Sequence, residues 1–292
     1  MRSFTAWVTA RPYRLILLAI VCVHLLIPAS GALLVLDALK RGPQAVLIST
    51  LAVILGVIAI ASAFGADIGE SLGLTAPVLL GSAGSGILLA WSRSLSLAFQ
   101  GTVVGAIVVC FLVLGLIPAA AQMGVVLQDQ VMALLESGGA SDAQLARFAA
   151  VSANEFLRVL LISLLACLLS ALMLGYWWYS LAVEGARFGE DFRALSLGRT
   201  AGISLMLLII VGQLVAWPML QNLAPMAVIA FLFQGLAVLH ARTYVEKWPR
   251  FIPAIAYVLL VSPWTYIAIM VLSAVGLIDN FFDLRARLKS PD

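Results

Sequence analysis

Long apolar stretches, separated by short polar ones, make up most of the chain. Residues 201–217 read AGISLMLLIIVGQLVAW and residues 100–117 read QGTVVGAIVVCFLVLGLI, and neither stretch contains a charged side chain. A helix needs about 20 mostly apolar residues to cross the roughly 30 Å hydrocarbon layer of a bilayer. The pattern therefore predicts eight hydrophobic segments, at residues 14–36, 44–64, 74–91, 97–118, 157–181, 200–217, 224–240 and 252–277.

These segments are predicted to be helices. A segment in lipid must satisfy its own backbone hydrogen bonds, and no stretch shows the alternation of a membrane barrel. The composition agrees, because only 11% of the residues are charged, against about 25% in a soluble domain. We expect an all-α, polytopic transmembrane helix bundle that forms a single integral membrane domain over residues 1–292.

The placement of lysine and arginine predicts the orientation, because cytoplasmic loops are enriched in these residues. Of the seven connections between segments, the even ones hold only Arg147, with Arg158 at the entry to the fifth segment. The odd connections hold nine basic residues: Lys40, Arg41, Arg93, Arg187, Arg193, Arg199, Arg242, Lys247 and Arg250. We therefore expect the odd connections to face the cytoplasm from a multi-pass protein of a bacterial inner (plasma) membrane.

The two ends of the chain do not fit eight plain crossings, which would place both ends outside. They carry the remaining basic residues: Arg2, Arg11, Arg14, Arg285, Arg287 and Lys289. Pro28 and Pro263 interrupt the first and last segments, and a proline inside a helix removes a hydrogen bond and clashes with the preceding turn. We expect both segments to be broken or re-entrant and both termini to lie inside. A cleaved secretory signal is the alternative for the N-terminus.

The fourth connection, at about residues 120–156, is the only long one. Its first part, Met123–Leu135, is modestly amphipathic, and Gly138 and Gly139 follow it. Ser141 and Gln144 have the spacing of a capping box, which predicts a second helix. We expect an amphipathic extracytoplasmic insert of two short helices. It is either a lid over an outward-facing cavity or a linker that rests in the lipid headgroups.

Smaller motifs favour packing roles. Gly101 and Gly105 form a GxxxG motif, which lets helices approach closely, within the chain or in an oligomer. The run Tyr176–Tyr179 encircles the end of a segment, as an interfacial aromatic belt does, although one or two of its rings are also placed to stack on a ligand. His24 is predicted to be a hydrogen-bonded structural histidine rather than part of a proton pathway.

Charge concentrates in three clusters on the predicted cytoplasmic face. The clusters lie at residues 37–41, 184–199 and 279–287, and the last two interleave charges with phenylalanines. We expect them to converge into one polar patch, with Asp279 paired to Arg41 or Arg193. The candidate residues for ligand or partner binding are Asp37, Lys40, Arg41, Asp191, Arg193, Asp279 and Arg285.

Catalytic patterns are missing from the sequence. It contains no HExxH, GxSxG or GxxxxGK[ST] motif, and its three cysteines show no metal-binding spacing. We therefore expect no catalytic residues, no metal site and no cofactor, and we expect a protein that is not an enzyme. The lack of a basic run argues against a nucleic-acid partner.

Four stretches carry a family resemblance: SGALLVLDALKRGPQAVLIS from Ser30, SRSLSLAF from Ser92, GEDFRALSLGR from Gly189 and AVGLIDNFFDLRARL from Ala274. Together they resemble the YybS-like family of predicted bacterial membrane proteins, over almost the whole chain and in the same order. The chain is more distantly similar to the substrate-binding subunits of energy-coupling-factor transporters. That similarity implies a helical bundle with an outward-facing pocket for a small molecule, although this chain has about two more segments.

Two functions fit these observations. The first is a non-enzymatic, transporter-like binding subunit for a small molecule or lipid. The second is a membrane scaffold or assembly factor that docks a cytoplasmic or membrane protein partner. A polar cavity beneath residues 120–156 would favour the first function, and a filled bundle would favour the second.

Overall fold

A computed structural model describes residues 2–249 and 251–286, and within these ranges the chain forms fifteen helices and no strand. The all-α prediction is therefore confirmed. The helices are α1 (Arg2–Thr9), α2 (Pro12–Leu25), α3 (Ile27–Arg41), α4 (Pro43–Ala63), α5 (Ile68–Ser92), α6 (Leu95–Leu116), α7 (Pro118–Ala121), α8 (Met123–Ser137), α9 (Asp142–Ala149), α10 (Ala153–Ala182), α11 (Phe188–Arg193), α12 (Gly198–Leu214), α13 (Pro218–Val245), α14 (Phe251–Leu260) and α15 (Thr265–Phe282).

Six helices in the described part of the chain are long and apolar enough to cross a bilayer. They are α4, residues 71–92 of α5, α6, α10, α13 and α15. Helices α2, α12 and α14 are apolar but shorter. Each predicted segment coincides with one helix or with a broken pair of helices, and together they make the chain a multi-pass membrane protein.

The first predicted segment is broken beside Pro28. Helix α2 ends at Leu25 and α3 begins at Ile27, because Leu26 leaves the helical conformation with φ −157° and ψ 85°. A continuous helix would press the ring of Pro28 against the carbonyl of His24. Lys40 Nζ, near the end of α3, donates to Thr9 Oγ1, just before α2, at 3.2 Å. The start of α2 and the end of α3 are therefore close together, and the two helices form a hairpin.

The last predicted segment is broken around Pro263. Helix α14 ends at Leu260 and α15 begins at Thr265, whose hydroxyl donates to the Leu260 carbonyl at 3.0 Å. Helix α14 has ten residues, which span about 15 Å at the usual helical rise. That length is about half of the hydrocarbon layer, so α14 alone is too short to cross it.

Both described ends of the chain lie with the odd connections, at an end of the bundle that we call the basic end. The ring of Phe4 meets that of Trp178, near the close of α10, with centroids 6.0 Å apart. Arg285 Nη1 donates to the carbonyl of Arg193 in connection five at 2.8 Å. The Ser196 amide of that connection donates to Ser96 Oγ, just after connection three, at 3.2 Å.

The long fourth connection lies at the other end and contains the two predicted helices, α8 and α9. Gly139, with φ +76°, turns the chain between them. The Ser141 amide donates to Gln144 Oε1 at 2.9 Å, one half of the predicted capping box. Gln128 Nε2 donates to the Val151 carbonyl at 3.0 Å, so α8 returns toward the start of α10.

Helix α13 forms the centre of the second half of the bundle, and its closest neighbour is α15. A Cβ built on Gly235 would lie 1.9 Å from the Leu272 carbonyl oxygen, and one on Gly276 would lie 2.0 Å from that of Phe231. In the predicted GxxxG motif, Gly101 lies close to α5, since its added Cβ would lie 2.2 Å from Leu88 Cδ2, whereas Gly105 has open space beside it. The closest helix crossing therefore lies at two glycines on different helices.

Candidate ligand-binding pocket at the basic end

A buried ion pair between Asp279 and Arg285 organises the basic end. Arg285 Nη2 lies 2.7 Å from Asp279 Oδ2, and Arg285 Nε lies 3.2 Å from Oδ1. The Asp279 side chain is fully buried, and that of Arg285 is 17% exposed. The pair forms because Asp283 adopts a left-handed conformation with φ 45°, which ends α15 and turns the chain back toward Asp279.

Four further residues complete this network through hydrogen bonds. Gln234 Nε2 donates to Asp279 Oδ2 at 2.8 Å, and Gln234 Oε1 accepts from the Leu197 amide at 3.1 Å. Arg285 Nη1 donates to the carbonyls of Arg193 and Leu195 at 2.8 and 2.9 Å. A buried ion pair needs such additional bonds to offset its desolvation. The network fixes connection five against α13 and α15 and uses up the charges of Asp279 and Arg285.

A cavity of about 750 Å³ opens beside this network. Its wall combines connection five, the start of α12, the end of α13 and the end of α15. The lining residues are Glu190, Arg193, Ala194, Ser196, Gly198, Arg199, Ala241, Tyr244, Val245, Asp279, Asn280, Asp283 and Arg285. We call this cavity the basic-end pocket.

Two arginines of the pocket remain without an acidic partner. The guanidinium of Arg193 stacks on the Tyr244 ring, with its central carbon 3.9 Å from the ring centroid. Arg199 is exposed at the second position of α12. Among residues 2–249 and 251–286, neither arginine forms an ion pair. Glu190 is already paired with Arg187 at 3.2 Å.

Asn280 leaves unused hydrogen-bonding capacity in the pocket wall. Both polar atoms of its amide are buried, and neither has a partner in the described part of the chain. The amide packs against Gly202, where an added Cβ would lie 1.9 Å from Nδ2. Buried polar groups are normally paired, so this amide stands out within the wall.

A second cavity, of about 510 Å³, lies on the other side of the Arg193–Tyr244 stack. Lys247 and Trp248 line it together with His240 and Thr243. The Arg193–Tyr244 stack is thus the common wall of two cavities at the basic end.

Asp191 is engaged inside the protein. Its carboxylate accepts a hydrogen bond from the Tyr176 hydroxyl, which ties α11 to the end of α10. Trp178 packs against Phe4, so two of the four residues in the predicted aromatic belt turn toward protein partners. His24 is exposed, and its Nδ1 lies 3.1 Å from the Ile20 carbonyl oxygen.

The first predicted cluster forms a separate site. Arg41 Nε donates to Asp37, and Arg41 Nη2 donates to Ser49 Oγ at 3.0 Å. Asp37 and Lys40 line a small cavity of about 190 Å³ with residues of α1 and α2. The structure therefore joins the candidate residues Arg193, Asp279 and Arg285 at the basic-end pocket, bonds Asp191 to Tyr176, and places Asp37, Lys40 and Arg41 at another site.

The expected ion pairs between clusters are wrong. Asp279 pairs with Arg285 rather than with Arg41 or Arg193, and Asp37 pairs with Arg41. In both cases the partner lies within six residues in sequence, where a helix or a single turn brings it close. Three polar lining residues, Arg199, Tyr244 and Asn280, and the network residue Gln234 lay outside the candidate set. Arg199 carried a sequence signal because it belongs to the second charged cluster, and Gln234 carried one as a polar side chain inside an apolar segment.

A cavity also lies beneath the insert at the opposite end. It has a volume of about 450 Å³ between α5 and α8, and its lining is largely apolar apart from Asp67 and Gln130. The larger and more charged cavity is the basic-end pocket. Among the described residues, no group of three or more histidine, cysteine, aspartate or glutamate side chains is placed to hold a metal ion.

No protein-family model, curated protein or solved structure matches the chain. The resemblance to YybS-like proteins therefore stays a prediction that rests on the four stretches quoted above.

Proposed function

We propose that this protein is a non-enzymatic, transporter-like binding protein of a bacterial inner membrane, and that it holds a small molecule or lipid in the basic-end pocket. The observation that carries the proposal is the pocket itself, with about 750 Å³ of space. Its wall presents two arginines that lack acidic partners, beside the paired acids Asp279 and Glu190 and the unpaired acid Asp283. A few polar groups in a concave site are typical of ligand binding.

The distribution of charge supports a cytoplasmic position for the pocket. The odd connections meet at the basic end, and so do the described ends of the chain. Both hold more lysine and arginine than the even connections do. Positive residues favour the cytoplasmic side. The proposed ligand site therefore opens inward, whereas the distant similarity to transporter subunits implied an outward-facing pocket.

Native mass spectrometry of the purified protein tests this proposal. We expect the protein to retain a bound lipid or metabolite. Ala194→Trp, an exposed position in the pocket lining, should displace it by filling the space. Ala150→Trp, at an exposed position near the insert, is the matched control. Loss of the ligand in both variants or in neither would contradict the proposed site.

Docking of a cytoplasmic protein partner is the second candidate function. It is supported by the large exposed rings at the basic end, Tyr244 at 60% and Phe282 at 65% exposure. Replacing Phe282 by serine should weaken partner capture if this function is correct, and it should leave a pocket ligand in place because Phe282 does not line the pocket. Crosslinking in intact membranes, followed by identification of the captured protein, distinguishes the two functions.

A further inference from the structure

We infer that the ligand of the basic-end pocket carries a phosphate group and that Arg193 and Arg199 bind it. This inference rests on the proposed function and names the chemistry of its ligand. The phosphate belongs either to a lipid headgroup or to a soluble phosphorylated molecule.

The charged side chains around the pocket favour an anionic ligand. Arg285 is neutralised by Asp279, Arg187 by Glu190, and Arg242 by Glu246 at 2.9 Å. Arg193 and Arg199 are left without a carboxylate partner among the described residues. Of the acids in the lining, only Asp283 has no cationic partner, and its carboxylate accepts the Ala286 amide at 3.2 Å. With Arg187 counted beside Glu190, the charged groups of the pocket sum to +1, because the carboxylate of Asp283 offsets one of the two unpaired arginines. The guanidiniums of Arg193 and Arg199 are the cationic groups left open to a ligand.

The geometry of Arg193 leaves its donors free. Its guanidinium meets the Tyr244 ring by its face. The five N–H donors of a guanidinium lie in its plane, so stacking orients the group and does not use up its hydrogen bonds. Planar, two-pronged donors of this kind match phosphate oxygens well.

The start of α12 adds to the preference for an anion. This helix has 17 residues, and its N-cap residue, Leu197, provides no side-chain cap. Its first amide, that of Gly198, already donates to Ser196 Oγ at 3.1 Å, which leaves the amides of the following residues for an anion. Gly198 and Arg199, its first two residues, line the pocket. The N-terminus of a helix presents free N–H groups and a partial positive charge, which favour phosphate.

The surroundings place the pocket where lipid phosphates lie. Tyr244, Trp248 and Phe282 are exposed around it. Aromatic side chains of this kind concentrate at the level of the headgroups. Lys247 lines the adjoining cavity and adds another positive charge. A headgroup phosphate and a soluble phosphate ester share the chemistry that this site recognises.

Three probes test the inference on the detergent-purified protein: dioleoylphosphatidic acid, dioleoylglycerol and inorganic phosphate. The first two differ only in the phosphate. We expect phosphatidic acid to bind and dioleoylglycerol to bind at least tenfold more weakly. Binding of inorganic phosphate in competition with the lipid would assign the site to soluble phosphorylated molecules as well. Binding of the lipid alone would assign it to headgroups.

Variants locate the binding residues. Arg193→Gln and Arg199→Gln should each weaken binding of phosphatidic acid about tenfold, because each removes a charged hydrogen-bond donor. Arg199→Lys keeps the charge and should retain most of the affinity. Arg147→Gln, an exposed arginine in the insert, is the matched control and should change nothing. Unchanged melting temperatures of all variants would exclude loss of fold as the cause.

The outcomes separate this inference from the proposed function. Equal binding of phosphatidic acid and dioleoylglycerol, unaffected by either arginine variant, would overturn the phosphate assignment. It would leave the proposed function intact if Ala194→Trp still displaced the ligand. Failure of Ala194→Trp to displace any ligand would overturn the proposed function itself.

Discussion

Gln234 of α13 donates a hydrogen bond to Asp279 of α15 at 2.8 Å, and both side chains are buried. The bond links the central helix of the bundle to the ion pair that holds the end of the chain. The other polar atom of the Gln234 side chain, Oε1, accepts a hydrogen bond from the Leu197 amide. One side chain therefore joins α13, α15 and connection five.

Gln234→Leu should therefore destabilise the protein, although the two side chains are similar in size. The variant leaves the Leu197 amide without a partner and removes one of the two hydrogen bonds to Asp279 Oδ2. A buried unsatisfied group costs about 1–3 kcal/mol. Unfolding in mixed detergent and dodecyl sulfate measures the difference. Gln100→Leu is a partial control, since Gln100 makes one hydrogen bond, to the Ser196 carbonyl at 3.0 Å, and is only part-buried.

Arg285→Ala should destabilise the basic end strongly. Removing one partner of a buried ion pair costs about 3–5 kcal/mol, because the other charge stays buried. Arg147→Ala should stay within about 0.5 kcal/mol of the native protein, as exposed substitutions usually do. The double variant Asp279→Leu with Arg285→Met should recover part of the loss. Equal stability of Arg285→Ala and Arg147→Ala would show that the pair of Asp279 and Arg285 is not buried.

The crossing of α13 and α15 predicts a sharp distinction among glycines. Gly235→Ala and Gly276→Ala would place a methyl group about 2 Å from a backbone carbonyl oxygen, so each should cost about 3 kcal/mol, at the upper end of overpacking effects. Gly105→Ala should be tolerated, because nothing lies within 4 Å of its added Cβ. The same unfolding assay ranks the three variants. A destabilising Gly105→Ala would place a partner helix in that open space.

Much of the architecture was predictable because it depends on local sequence. Apolar runs identify membrane helices, and Pro28 and Pro263 locate the two breaks through a local clash. The pair of Asp37 and Arg41 was predictable in the same way from its i, i+4 spacing on one helix, but the partner of Asp279 was not. Whether Asp279 meets Arg285 or Arg193 depends on a left-handed turn at Asp283 and on the crossing of α13 and α15.

The pocket was harder to predict than the fold for a related reason. Arg193 was a candidate because it lies in a charged cluster, but its stacking on Tyr244 joins residues that are 51 positions apart. Asn280 sits beside Asp279 in an apolar helix and carries no signal of its own. Only the packed structure shows that its amide lacks a partner.

The orientation is tested by thiol labelling in intact cells, in a chain whose three native cysteines are alanine. Glu184→Cys, exposed in connection five, should resist a membrane-impermeant reagent, whereas Ser141→Cys in the insert should react. The physical reason is the enrichment of basic residues in cytoplasmic loops. The reverse labelling pattern would show that the bundle has the opposite orientation and that the basic-end pocket lies outside.

The most direct test of the central claim, that the basic-end pocket holds a ligand, is the rate at which a thiol within it reacts. In the same cysteine-free background, Ala194→Cys places a thiol in the pocket lining, and Ala150→Cys places one at an exposed site near the insert. We predict that adding back lipids and metabolites extracted from the native membrane to the stripped protein slows the reaction at position 194 several-fold and leaves position 150 unchanged. Equal rates at position 194 with and without the extract would contradict the account.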